Sequence, residues 1–308
     1  MTTATRTAAA EAPSRPLWGV FWMVVTGLNF VAVTALVKHV GPRLPAAESA
    51  FLRYVLGLVF LAPMIRPMLS AGLDRRALGY FTLRGVAHTL GVMLWFYAMT
   101  QIPIAEVTAM NYLSPVYVTL GAALFLGERL AFRRLAAVAA ALVGALLILR
   151  PGFREISPGH LAMLGTALMF AASYLIAKRM SDLVSPTVIV GMLSVTVTIG
   201  LAPFAAMVWV PPTPAELFWL FLVAAFATAG HYTMTLAFRA APVAVTQPVA
   251  FLQLVWATLL GVLVFGEPVD GWVIAGGALI MAAVSFIAWR EAKLRRRALT
   301  PVHVATKV

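Results

Sequence analysis

The 308-residue sequence contains no cysteine, and only 11% of it is charged. The first absence excludes disulfides and thiolate metal sites. The second excludes a soluble globular domain, which carries about 25% charged residues on its surface. Disorder is excluded by the same composition, because 62% of the residues are hydrophobic. Acidic groups are the scarcest, with 11 Asp and Glu against 23 Lys and Arg and a net charge of +12. No Walker A sequence, no H-E-x-x-H and no pair of mid-helix aspartates occurs. The histidines, His39, His88, His160, His231 and His303, are scattered over loops, helices and a tail. These gaps point away from an enzyme, from a metal site, from a cofactor and from direct use of ATP. An intramembrane enzyme or a channel would need a constellation or a pore ring that the sequence does not display.

What remains is a helical membrane protein. The mean hydropathy is +0.92, and a bilayer core about 30 Å thick takes about 20 apolar residues per helix. Apolar runs predict ten membrane helices at 17–37, 46–66, 77–99, 103–126, 133–150, 159–180, 186–209, 217–239, 242–265 and 271–290. The segments 1–16 and 291–308 read as polar tails. The first run is too long for a signal-peptide core and is expected to be retained.

Basic residues orient such a chain. With a cytoplasmic N-terminus, 17 fall inside: Arg6, Arg15, Arg66, Arg75, Arg76, Arg129, Arg133, Arg134, Lys178, Arg179, Arg239, Arg290, Lys293, Arg295, Arg296, Arg297 and Lys307. Four fall outside: Lys38, Arg43, Arg150 and Arg154. Both termini are therefore expected in the cytoplasm. The basic run after residue 290 reads as a membrane anchor near anionic headgroups and not as a nucleic-acid site.

The two halves repeat. At an offset of 139 residues, Ala98, Pro103, Ala105, Leu113, Val116, Thr119, Leu120, Leu124, Gly127 and Glu128 match Ala237, Pro242, Ala244, Leu252, Val255, Thr258, Leu259, Leu263, Gly266 and Glu267. About three such identities in 33 positions would arise by chance. At an offset of 140, Thr26, Phe30 and Lys38 match Thr166, Phe170 and Lys178. The expected repeats cover 17–150 and 159–290. Five helices are an odd number, so the second copy enters the membrane inverted, an arrangement of secondary transporters that bind substrate between the halves.

Polar groups within the apolar runs are candidates for function, since burying them costs energy. Arg53 and Arg84 are the two basic residues that lie within predicted helices and away from segment ends. Arg84 and His88 share a helical face with Gly91 and Trp95. Either they line an aqueous cavity, or Arg84 caps carbonyls and His88 is a packing residue. The fourth predicted helix carries Glu106, Asn111, Tyr112, Ser114 and Pro115; Pro115 frees the carbonyl of Asn111. In the ninth, Gln253 and Phe251 take the places of Ser114 and Tyr112, with Trp256, Gln247 and Pro248 nearby. His231 and Asn29 are weaker candidates. Glu106 and His88 are the candidates for proton coupling. A structural role is expected for Gly127 and Gly266 as left-handed helix ends, and for Glu128 and Glu267 near the start of the following helix. Two arginines without an evident partner suggest a substrate carrying a carboxylate or another electron-rich group.

The doubled pattern Pro103-x-Ala105 to Gly127-Glu128 and Pro242-x-Ala244 to Gly266-Glu267, with the segments around Arg53 and Leu83-Arg84-Gly85, resembles EamA-type transporters of the drug/metabolite transporter superfamily. The resemblance spans roughly residues 17–290. It departs at Leu254, which stands where the first repeat has Pro115. It implies a multi-pass protein of the bacterial inner membrane moving small metabolites inward or outward. Amino acids and their derivatives come first as substrates. Riboflavin-, nucleoside- and S-adenosylmethionine-like compounds are the alternatives. The expected partners are a small-molecule substrate and the lipid bilayer; the oligomeric state is left open.

Overall fold

A computed structural model describes residues 15–126, 132–180, 183–241 and 243–299, and among them every regular element is helical. The first half runs through α1 (Pro16–Val40), α2 (Ala46–Gly57), a 3-10 stretch (Leu58–Met64), α3 (Ile65–Leu69), α4 (Arg75–Gln101), α5 (Ile104–Asn111), α6 (Leu113–Leu126) and α7 (Phe132–Leu149). The second contains α8 (Pro158–Met180), α9 (Pro186–Met207), α10 (Pro214–Ala240), α11 (Val243–Ala250), α12 (Leu252–Phe265) and α13 (Gly271–Leu299). Seven of the helical segments are long and apolar enough to cross a membrane. The predicted 103–126 and 242–265 are instead each broken in two. The last helix runs on to Leu299, beyond the predicted 290, through a segment rich in Ala, Lys and Arg, which favour helix.

Local chemistry sets the helix starts. α1, α8, α9 and α10 begin with proline, whose missing N–H costs nothing in the first turn. Asp74 caps α4 by accepting from the Ala77 amide at 2.7 Å. Thr213 and Glu216 form a capping box on α10.

The packing is reciprocal between the halves. α1 lies against α10 as α8 lies against α4. Gly19 admits Ala241, and Gly159, its counterpart at offset 140, admits Gln101 and Ile102. Gly230 receives the ring of Phe30, and Gly91 receives that of Phe170. A methyl group at either Gly19 or Gly91 would overlap its neighbour. The equivalent helices α7 and α13 pack directly on each other. Gly144 meets Gly276 and Ile280, while Gly276 meets Gly144 and Ile148, a register that fits antiparallel axes. Small residues allow this approach where lipid supplies no hydrophobic drive for helix association.

A Cβ at Gly276 would stand 2.4 Å from the carbonyl oxygen of Gly144. Backbone cannot swing away as a side chain does. Gly276→Ala is expected to cost about 1–3 kcal/mol by overpacking. Gly271→Ala, which meets nothing within 4 Å, should be nearly neutral. Thermal unfolding of both variants in detergent checks the contrast.

Candidate functional site

The two broken helices meet at their breaks. Pro115 cannot donate to Asn111, and α5 ends there, with the Tyr112 amide bonding three residues back to Ala109 at 3.3 Å. The second break has no proline at the matching position. There the Leu254 amide bonds to Phe251 at 2.9 Å, three residues back. The carbonyl of Ala250, the counterpart of Asn111, takes the Tyr112 hydroxyl instead, at 3.1 Å. An inserted side chain thus does in one repeat what proline does in the other. Beyond the breaks, Thr119 and Thr258 each donate to the carbonyl four residues earlier, on Pro115 and Leu254. Gln253 packs beside Gly27 of α1.

Buried polar atoms without a hydrogen-bond partner lie on the broken helices, at Thr108 Oγ1, Asn111 Oδ1, Ser114 Oγ and Trp256 Nε1, and along α4, at Arg84 Nε, Thr89 Oγ1 and Trp95 Nε1. The ring of Trp95 meets Phe170 edge-on at 6.1 Å. On the same ring, His88 stacks at 4.8 Å, and its Nδ1 shares a 3.1 Å hydrogen bond with Ser173. Arg84 Nη1 donates to the Ile189 carbonyl at 2.9 Å. The Arg53 guanidinium lies 4.2 Å from the Tyr54 ring centre. His231 meets Phe30 edge-on at 5.2 Å. Arg53, Arg84 and His231 all lie within electrostatic range of His88. His231 and Tyr174 are exposed. Asn29 donates to the Val25 carbonyl of its own helix at 2.8 Å.

The carboxylates are elsewhere. Glu106 accepts from Arg154 at 2.9 and 2.7 Å, and His160 reaches it at 2.5 Å. The Ser157 amide donates to His160 Nδ1 at 3.0 Å, which leaves Nε2 to carry the proton toward Glu106. The hydrogen bond from Arg154 to Glu106 holds the arginine above its ordinary pKa. Arg150 pairs with Asp270, and Lys38 with Glu267. Glu267 also accepts the Ile104 amide at 2.9 Å and so caps α5, across the repeat boundary, while Asp270 occupies the start of α13. These pairs surround a recess of about 350 Å³ at one end of the bundle.

The arrangement joins most of the residues expected from the sequence. Arg53, Arg84, His88 and His231 form one group; Asn111, Tyr112, Ser114, Gln253 and Trp256 lie along the breaks. Glu106 stands apart, committed to Arg154 and His160. Gly266 ends α12 in the left-handed conformation at φ 63°. Glu267 does not serve its own following helix as expected. Gly127 and Glu128 lie outside the described residues, as do the side chains of Gln247 and Pro248. Sequence reasoning missed Arg154 and His160 as partners of Glu106, although the lone acid near the start of α5 signalled a need for one.

Residues 17–150 and 157–289 each match the EamA-like transporter family. A riboflavin transporter of Rhizobium johnstonii is 35% identical over 298 residues, 95% of this chain and 98% of its own length. A pseudopaline exporter of Pseudomonas aeruginosa is 29% identical, covering 86% of this chain and 94% of its own. An S-adenosylmethionine uptake transporter of Rickettsia bellii is 24% identical, covering 89% and 94%. A solved crystal structure covers 90% of this chain and 97% of its own at 20% identity, with a TM-score of 0.55, a likeness of fold.

The Tyr112 hydroxyl holds the two breaks together. Tyr112→Phe is expected to lower stability by about 0.6–1.7 kcal/mol, the range for one interhelical hydrogen bond in a membrane protein. Transport should fall further than stability, because the helix ladder at Ala250 can then close. Unfolding midpoints and uptake rates at equal membrane abundance check both parts.

Proposed function

The chain belongs to the EamA-like transporter family, and from that premise we propose that it is a secondary transporter of a flavin-like metabolite in the bacterial inner membrane. Family and relatives make it a multi-pass membrane protein that handles a small molecule. The proposal adds ten crossings, two inverted five-helix repeats, both termini in the cytoplasm and alternating access. The antiparallel register of α7 on α13 and the reciprocal glycine contacts support the inversion. Each broken pair, α5–α6 and α11–α12, counts as one crossing, and the more polar α4 as another. One asymmetric unit present in two orientations can open to either face at similar energy.

The observation that carries the substrate class is the set of buried polar atoms left unpartnered on the broken helices and on α4. Such atoms cost about 1–3 kcal/mol each unless a ligand or water satisfies them. They comprise two indole N–H donors, an amide oxygen and three hydroxyls, set among aromatic rings. A flat conjugated ring with alternating donors and acceptors at its edge, stacked on Trp95 or Tyr112, would satisfy several at once. The flavin ring has that form, and riboflavin is what the 35% identical relative is named for. This favours riboflavin over the amino acids that the sequence alone puts first.

Proteoliposomes holding the purified chain are expected to take up radiolabelled riboflavin saturably. Asn111→Leu and Trp95→Phe should each reduce that uptake at least tenfold at equal abundance, about the loss for one buried polar contact. Absence of saturable riboflavin binding and uptake by the wild-type protein would sink the flavin reading.

A further inference from the structure

Arg84 is 6% exposed, about 14 Å into α4 at about 1.5 Å per residue. Its guanidinium does not lose its proton in a protein. One nitrogen donates to the Ile189 carbonyl, and Nε has no partner. A buried cation ordinarily requires an opposite charge. Among the described residues none is supplied.

The carboxylates account for this. Glu48 accepts the Val210 amide, Asp74 caps α4, and Glu216 is held by Arg43. Glu106, Glu267 and Asp270 are paired at the end of the bundle. Glu155 is exposed in the connection before α8. None pairs with Arg84 or Arg53. The groups within electrostatic range of Arg84 are instead Tyr54, Tyr174 and His88, and Arg53 and His231 in turn lie within range of His88. All of them are neutral or positive. Tyr174, within range of Arg84, is 44% exposed.

We propose that Arg84 forms a binding site for a small oxyanion, a carboxylate or a phosphate group, inside the bundle. The planar fork of Arg84 suits two oxygens at once. Arg53 adds positive potential at longer range, through the group around His88, and Tyr54 and Tyr174 are the neutral groups within range of Arg84. Riboflavin has no ionised group near neutral pH and cannot provide the charge, so the anion is separate from the flavin reading. It is either free in solution or carried on a charged metabolite.

The full chain in neutral detergent and a buffer free of small oxyanions is titrated with acetate, inorganic phosphate and methyl phosphate, with acetamide as the neutral control, and thermal unfolding is followed. Saturable stabilisation by an oxyanion and not by acetamide is expected. Arg84→Gln should weaken that apparent affinity at least tenfold, and Arg84→Lys should weaken it less. Without oxyanion, Arg84→Gln should unfold at a higher temperature than wild type, since it removes an uncompensated buried charge. A purely structural Arg84 that caps Ile189 gives the opposite: Arg84→Gln is less stable at every anion concentration, and its response to anions is unchanged. Either of those results overturns the site. Stabilisation by inorganic phosphate identifies a free anion; stabilisation confined to the organic anions identifies a charged metabolite, and both support it. Riboflavin enters none of these measurements, so a failure of the flavin reading leaves the outcome readable.

Discussion

Backbone carbonyls in a bilayer have no water to turn to, and this constraint shapes the centre of the molecule. Two helices break at matching positions, and each frees a carbonyl, on Asn111 and on Ala250. Lipid-facing breaks would be prohibitive. Here they face each other, and the hydroxyl of one break satisfies the carbonyl of the other. The flanking helices are then obliged to pack closely enough to keep lipid out. The glycines at 19, 91, 159 and 230 make that approach possible. The reciprocal packing is thus a consequence of having to shelter irregular backbone, and the polar site is the sheltered backbone with its side chains.

The helical class, the repeat and the first break were legible in the sequence because each rests on local chemistry. Hydropathy depends on composition, the repeat on identities at a fixed offset, and the break at Asn111 on a proline four residues later. The second break was not legible. Leu254 carries no signal of its own, and the ladder opens there through contact with Tyr112, well over a hundred residues away in the chain. Glu267 shows the same limit. A carboxylate after a left-handed glycine reads as a cap on the next helix, but Asp270 already serves that helix. Glu267 turns to the amide of Ile104 and to Lys38. Such choices among partners are settled by three-dimensional proximity.

Charge is allotted by position. Carboxylates sit at helix ends, where amides and arginines meet them and water can share the cost. Guanidiniums with no carboxylate, Arg53 and Arg84, sit within the bundle. A protein that only needed to span the membrane would have no use for the second arrangement. Acids are scarce, 11 in 308 residues, and most of those in the described residues hold helix ends together. Among the described residues the interior around Arg84 is left without a counter-charge, which the proposed oxyanion would supply.

The scaffold is nearly symmetric, but its chemistry is not. At offsets of 139 or 140, the counterparts of Arg84 are Val223 and Ala224, that of Arg53 is Leu193, and that of Glu106 is Val245. Asn111 corresponds to Ala250, and Ser114 to Gln253. Symmetry is kept where helices pack closely on one another: the glycines, the phenylalanines of α1 and α8, and the threonines beyond the breaks. It is abandoned where a ligand would be read, and the first repeat carries most of the polar groups. Motion between two states gains from halves of matched energy, because neither orientation is then strongly preferred. Recognition of an asymmetric solute gains from unmatched halves, because two equal half-sites would bind it in two competing poses. The division of labour follows from these separate demands. A repeat can diverge freely in the few residues that face the solute, provided that the small residues between its helices are retained.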